Sequence, residues 1–209
     1  MMRDWLPHQR AFQEEILSSE GPASHNSCAK CQKSGGKAYR CADCYFSGVL
    51  CQDCCIADHG RHPFHSISQW NGRYFQPTAL RAIGFVLHVG HGGSPCPHWS
   101  EDDTNAGEFT VVDVNRIHVH KVAWCQCLNA PDRWRQLLRM KLYPATVHSP
   151  RTAFTFRLLQ YYDMDSLECN TTASSFMTKL RRLTDLYHPL TVPVSDIAAI
   201  GHWGVFTIG

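Results

Sequence analysis

The sequence has no apolar stretch long enough to cross a bilayer. Its longest apolar runs, "RAIGFVLHVG" and "VSDIAAIGHWGVFTIG", are short or broken by Gly and His, whereas a spanning helix needs about 20 apolar residues. The N-terminal "MMRDWLPHQRAFQEEIL" lacks the apolar core and small-residue cleavage site of a secretory signal. Both absences point to a reducing compartment, where disulfides do not persist. Net charge is scarce too, only +2 over 209 residues. So small a surplus neither predicts nor excludes a nucleic-acid partner. No internal repeat is visible. The glycine-rich "GHGG" (90–93) lacks the Lys-Ser/Thr and following helix of a phosphate loop, and reads as a plain loop.

Cysteine, by contrast, is plentiful. There are 11, an odd number that fits complete disulfide pairing poorly. Seven of them lie between Cys28 and His65, together with three histidines. They form pairs: Cys28 and Cys31, Cys41 and Cys44, Cys51 and Cys54, followed by His59 and His65. Two residues between cysteines let one tight turn aim both sulfurs at a single ion. Zinc takes four such ligands in a closed tetrahedron when its role is structural. Eight ligands therefore predict two closed zinc sites. Spacing alone leaves the sharing open, because either neighbouring or alternate pairs can meet at one ion. Two local choices are also open. His62 competes with His59 and His65, and Cys55 competes with Cys54, although the two-residue spacing favours Cys54. This block has almost no aliphatic core. Structural zinc, contributing roughly 10–16 kcal/mol in small fingers, would supply what the core cannot.

A second, sparser cluster surrounds "WCQC". On a strand, residues two apart face the same side, so Cys125 and Cys127 can reach one ion. Partners are available in His91 and Cys96, or in His118 and His120 on the preceding strand. Two half-buried thiols in a sheet are the plain alternative. If a third zinc exists, its expected ligands are His91, Cys96, Cys125 and Cys127.

Residue periodicity gives the surrounding frame. Residues 7–19 read as an amphipathic helix with Phe12, Ile16 and Leu17 on one side and Gly21-Pro22 as its stop. Phe85, Leu87 and Val89 alternate as in a strand. "EFTVVDVNRIHVHKVAWCQC" alternates as two strands around a turn at "VNRI". Beyond Pro131 the period becomes helical. "PDRWRQLLRMKL" predicts a short helix. Ser149 is placed to cap a second helix reaching about Tyr162. Phe176, Leu180, Leu183 and Leu186 mark a third, closed by His188-Pro189. The resulting division is an N-terminal helix (1–22), a finger (23–68), a β-rich Cys-x-Cys region (69–130), a helical region (131–189) and a divergent tail (190–209). The class is α+β.

Other chemistry is thin. Glu101, Asp102 and Asp103 read as a solvated acidic tip, and His118 and His120 as packed or exposed strand residues. Residues 131–190 carry nine Lys/Arg against five Asp/Glu. Arg133, Arg135, Arg139, Lys141, Arg151, Lys179, Arg181 and Arg182, with Trp134 nearby, can touch phosphates. Ordinary solvated helix faces explain the same residues.

Two resemblances sharpen these expectations. "YRCADCYFSGVLCQDCC" followed by two histidines resembles ZZ-type and B-box modules. That resemblance implies an interleaved cross-brace, with Cys28, Cys31, Cys51 and Cys54 on one zinc and Cys41, Cys44, His59 and His65 on the other. By the periodicity above, a short antiparallel sheet and C-terminal helices follow this finger. From about Trp5 to Tyr187, the order of "HPFHSISQWNGRYFQPTALRAIGFVLHVGHGGSPCP", "IHVHKVAWCQC", "QLLRMKLYPATVHSPRTAFTFRLL" and "SSFMTKLRRLTD" resembles the cysteine-cluster domain that precedes the catalytic region of fungal KDZ-type transposases. Cys125 and Cys127 match its Cys-x-Cys element, and Tyr143 to Phe156 is its most diagnostic segment. The resemblance implies a nuclear protein of a mobile element, with zinc and DNA or a chromatin protein as partners. It implies a catalytic domain beyond this chain and no catalytic residue within it. The tail after Pro189 departs from the family pattern, as in a truncated copy. The rival expectations are a protein-interaction module, reading peptide tails or self-associating, and a zinc hydrolase centred on Cys125 and Cys127.

Overall fold

Pro7 lies in a 3-10 turn, Leu6–His8, that joins a short helix α1 (Met2–Trp5) to α2 (Gln9–Glu20). Proline is tolerated there because the first turn of a helix has no partner for its missing N–H. The computed structural model describes residues 2–20, 27–45, 48–100 and 107–192. The expected stop at Gly21-Pro22, the acidic tip at Glu101–Asp103 and the tail beyond residue 192 lie outside the described residues. The helix expected over 7–19 is present, and its Phe12, Ile16 and Leu17 are exposed.

The chain forms two compact units, Met1–Gly84 and Phe85–Gly209. In the first, β1 (Tyr39–Cys41) leads to α3 (Gln52–His59), then β2 (Ile67–Trp70) and β3 (Phe75–Thr78). The strands form an antiparallel sheet in the order β1-β2-β3, with Cys41 opposite Ile67 and Trp70 opposite Phe75. Asn71 turns the chain between β2 and β3. Its Oδ1 accepts from the backbone N–H of Arg73 at 2.9 Å and of Tyr74 at 3.0 Å. Gly72 beside it adopts φ +97°, a conformation that a Cβ disfavours. Pro77 sits in the edge strand β3, where a missing donor is tolerated. The buried apolar set of this unit is small: Tyr39, Cys55, Ile67, Leu80 and Ile83, with Cys28. His59 is buried among them.

The second unit is built on a hairpin. Strand β4 (Val86–His88) comes first, then β5 (Glu108–Val112) and β6 (Ile117–Ala123), which pair antiparallel around the turn at 113–116. The alternation in sequence predicts this hairpin, and the fold enlarges it. Helix α4 (Arg133–Arg139), β7 (Leu142–Pro144), β8 (Thr152–Thr155), α5 (Phe156–Cys169) and α6 (Ala173–Thr184) follow. The sheet order is β4-β6-β5-β8-β7, with parallel pairing of β4 to β6 and of β5 to β8.

Two details correct the periodicity reading. Ser149 does not cap a helix, and its backbone takes φ +48°. Thr152–Thr155 instead forms a fully buried strand against β5, and Thr155 caps α5 by accepting from the Leu158 N–H. A β-branched and aromatic segment found a sheet partner, which local pattern cannot foresee. Leu183 and Leu186 are exposed, and the helix stops at Thr184, ahead of Leu186. The buried side of α6 is Phe176, Met177 and Leu180. These pack with Val112, Ile117, Phe154, Leu158 and Leu159 in one apolar core.

A buried carboxylate anchors this core's edge. Asp113 is fully buried and accepts from Thr155 Oγ1 at 2.6 Å and from the Arg157 guanidinium through both Nε and Nη2. Burial raises its pKa, but the Arg157 and Thr155 hydrogen bonds outweigh burial and hold it below the usual carboxylate value.

Candidate metal centres

Among the described residues, three sets of four side chains bring their donor atoms together, each set within 4.8 Å. The first is Cys28, Cys31, Cys51 and Cys54. The second is Cys41, Cys44, His59 and His65. Alternate pairs thus meet, and the two sets interleave along the chain. Their elements explain why. Helix α3 starts just after Cys51 and carries Cys54 and His59 five residues apart. That spacing advances about 140° around an α-helix, so the two side chains leave on different sides and serve different sets. Cys41 ends β1, and Cys44 follows in the next turn.

Distances test the fit of a tetrahedral ion. A zinc with ordinary bond lengths makes sulfur–sulfur edges of about 3.8 Å and sulfur–nitrogen edges of about 3.5 Å. Cys31 Sγ and Cys51 Sγ are 3.7 Å apart. His65 Nδ1 lies 3.5 Å from Cys41 Sγ and 3.3 Å from Cys44 Sγ, and His59 Nε2 lies 3.9 Å from Cys44 Sγ. The Nδ1 of His59 is 2.7 Å from the Cys55 carbonyl oxygen, to which it donates, so Nε2 is left to face the cluster. These residues fit zinc in donor type, number and separation.

The third set is His91, Cys96, Cys125 and Cys127. His91 Nε2 lies 3.3 Å from Cys125 Sγ and 3.5 Å from Cys127 Sγ, and Cys96 Sγ lies 3.8 Å from Cys127 Sγ. The same edge lengths recur. Strand β6 ends at Ala123, so Cys125 and Cys127 stand beyond it rather than on it. Two residues that pattern reading passed over position them. Gln136, buried on α4, accepts from the Cys125 N–H at 2.9 Å and donates to the Pro131 carbonyl at 2.8 Å. Gly90 lets the two segments touch, because a Cβ there would stand 2.7 Å from Cys125 Cβ. The "GHGG" signal in sequence marks this close approach and not a phosphate loop.

The remaining candidates fall outside these sets. Cys55 lies on the buried side of α3, and burial pushes its thiol up to about 12. His62 stacks on the His65 ring with centroids 4.9 Å apart. His118 and His120 stack on each other at 5.9 Å and join no metal cluster among the described residues.

Thiols gathered this closely cannot all ionise unless a cation shares the site. Burial raises Cys28, but the backbone N–H groups of Cys31, Cys51 and Lys30 outweigh it and bring it down to about 6. Burial, then its sulfur neighbours, pushes Cys54 up to about 12. In the third set the Gln126 N–H is the main force holding Cys96 at about 6, whereas Cys125 and burial push Cys127 up to about 11. A divalent cation removes the conflict by favouring the thiolate at every position.

A two-unit chain with three Cys/His clusters belongs to the class of cysteine-cluster proteins able to hold metal ions. Within that class, a family model described as "CxC2 like cysteine cluster associated with KDZ transposases" matches residues 80–188, just over half of the chain. The chain belongs to this CxC2 family. The third cluster lies inside the matched residues, and the first two lie before them. The family is a cysteine cluster associated with transposases and is not itself a catalytic domain. No curated protein and no solved structure matches the chain.

Proposed function

We propose that the chain is a non-catalytic, zinc-stabilised region that binds DNA or a chromatin protein in the nucleus on behalf of a KDZ-like transposase of fungal type. Zinc would be held by Cys28, Cys31, Cys51 and Cys54, by Cys41, Cys44, His59 and His65, and by His91, Cys96, Cys125 and Cys127. Each set supplies four protein donors, which leaves no coordination position for a reacting water. That donor count opposes the hydrolase alternative and supports a scaffold role.

The observation that carries the reading is the CxC2 match, with its transposase association, over residues that assemble a tetrahedral donor set. Charge supports it. Arg139, Lys141, Arg151 and Arg182 are exposed and join no ion pair among the described residues. Strand transfer would belong to a separate catalytic domain.

The test is fluorescence anisotropy of the zinc-loaded full chain with a labelled DNA duplex and with reconstituted nucleosomes, at several salt concentrations. Binding should weaken as salt rises, because cation–phosphate contacts release counterions. Arg139→Glu with Arg182→Glu should weaken it further. Failure to bind either probe at low salt overturns the proposal. One observation favours a protein-interaction role instead: Tyr161, Met164 and Leu167 lie exposed along α5. Light scattering would show self-association through them, and a histone-peptide array would show tail reading.

A further inference from the structure

A pocket of about 470 Å³ opens beside the first metal cluster, walled by Trp70 and Phe75 on one part and by the segment Lys33–Lys37 on another. Its size falls within the range of small-ligand sites, roughly 300–1,000 Å³. Four features define its chemistry. Trp70 and Phe75 are paired across β2 and β3, with ring centroids 5.2 Å apart, and both are half-buried. They offer an aromatic surface held by the sheet. The loop "KSGGK" supplies two ammonium groups, a Ser34 hydroxyl and the backbone of two glycines. Lys33 and Lys37 are exposed and make no ion pair among the described residues. Finally, no carboxylate among the described residues lines the pocket. The guanidinium of Arg40 lies over the Phe75 ring, 4.4 Å from its centroid, and is itself paired with Glu20 at 2.9 Å, so the free cations of the pocket among the described residues are the two lysines.

An aromatic wall, its two rings tilted 58° to each other, next to lysines without an ion pair suits a ligand that is a planar ring at one end and an anion at the other. We infer that this pocket binds a nucleotide of single-stranded nucleic acid, its base against Trp70 and Phe75 and its phosphate at Lys33 and Lys37. Base–aromatic stacking contributes about 1–3 kcal/mol per base and tolerates any sequence. The site extends the nucleic-acid reading above but stands on different residues in a different unit. It also has a built-in dependence on metal. Cys28 and Cys51 line the pocket and belong to the first metal cluster. Loss of the ion would release the wall they form.

The experiment uses the zinc-loaded full chain, fluorescein-labelled d(T)6 and a labelled 20-base-pair duplex. Lys33→Glu with Lys37→Glu should weaken d(T)6 binding at least about ten-fold and leave duplex binding within about two-fold. Trp70→Leu should weaken d(T)6 binding to a similar degree. The lysine pair is solvent-exposed, so its effect is readable even if the Trp70 variant fails to fold. Chelation should abolish d(T)6 binding. Arg139→Glu with Arg182→Glu should do the reverse, weakening the duplex and sparing d(T)6, so the two proposals fail separately. The pocket assignment is overturned if d(T)6 does not bind. It is also overturned if the lysine variants bind d(T)6 as wild type does, or if a phosphorylated peptide occupies the site and d(T)6 cannot displace it.

Discussion

Gly90 and Cys125 approach so closely that a Cβ on the glycine would stand 2.7 Å from the cysteine's own Cβ. The contact brings the His91 turn against the Cys-x-Cys segment. It sets His91 Nε2 3.3 Å from Cys125 Sγ although 34 residues separate them in sequence. A metal cluster assembled from two distant loops depends on such a gap between backbones. Gly90→Ala should therefore act on metal content as well as on stability. Overpacking of this kind costs about 1–3 kcal/mol. Native mass spectrometry should show one zinc fewer per chain than wild type, with the other sites still filled.

Wild-type protein should carry three zinc ions by the same measurement, one for each donor set. Chelation should unfold residues 27–78, because the small apolar set there cannot replace roughly 10–16 kcal/mol of structural zinc. Amide NMR signals of that region should collapse. The hairpin signals of β5 and β6, backed by their own apolar core, should persist. Retention of folded finger signals after full metal removal would sink the cross-brace account.

Substitutions among adjacent candidates should separate sharply. Cys54→Ser should lose one metal. Cys55→Ser should keep all of them and lose only packing, on the order of 1 kcal/mol, since Cys55 is buried outside the donor sets. His65→Ala should lose a metal, whereas His62→Ala should retain it. Equal metal counts within either pair would contradict the geometry.

The buried carboxylate makes an acid prediction. Asp113 has a folded pKa below its unfolded value, so it contributes stability that is present above the unfolded carboxylate pKa, about 4. That contribution is lost as pH falls below about 4 through the folded pKa. Asp113→Asn should cost about 1–3 kcal/mol at neutral pH and flatten the acid limb of a urea-melt series. Arg157→Met should cost more, roughly 3–5 kcal/mol, because it strands a buried charge. An acid limb unchanged by Asp113→Asn would remove Asp113 as its cause.

Much of this protein could be read from one line of residues. Cysteines spaced by two, followed by histidines, announce metal because softness and donor count are written in side-chain identity. The β5–β6 hairpin and the α6 helix were legible because alternation and helical spacing are local properties. The Asn71-Gly72 turn carried a signal that pattern reading passed over: a turn dipeptide between two apolar runs. Other features had no local signal. Thr152–Thr155 resembles the start of a helix until β5 is available to pair with it. The burial of Met177 and the exposure of Leu183 depend on which side of α6 meets Phe154 and Leu158.

Side-chain identity decided that ions could be held, and by which kinds of atom. Spacing alone could not choose between neighbouring and alternate pairs. Only the fold made that choice: the five-residue step from Cys54 to His59 along α3 aims them into different sets, and the gap at Gly90 draws two remote loops into a third. Donor chemistry belongs to each residue singly, whereas the coming together of donors depends on backbone directions that exist only once the chain has packed.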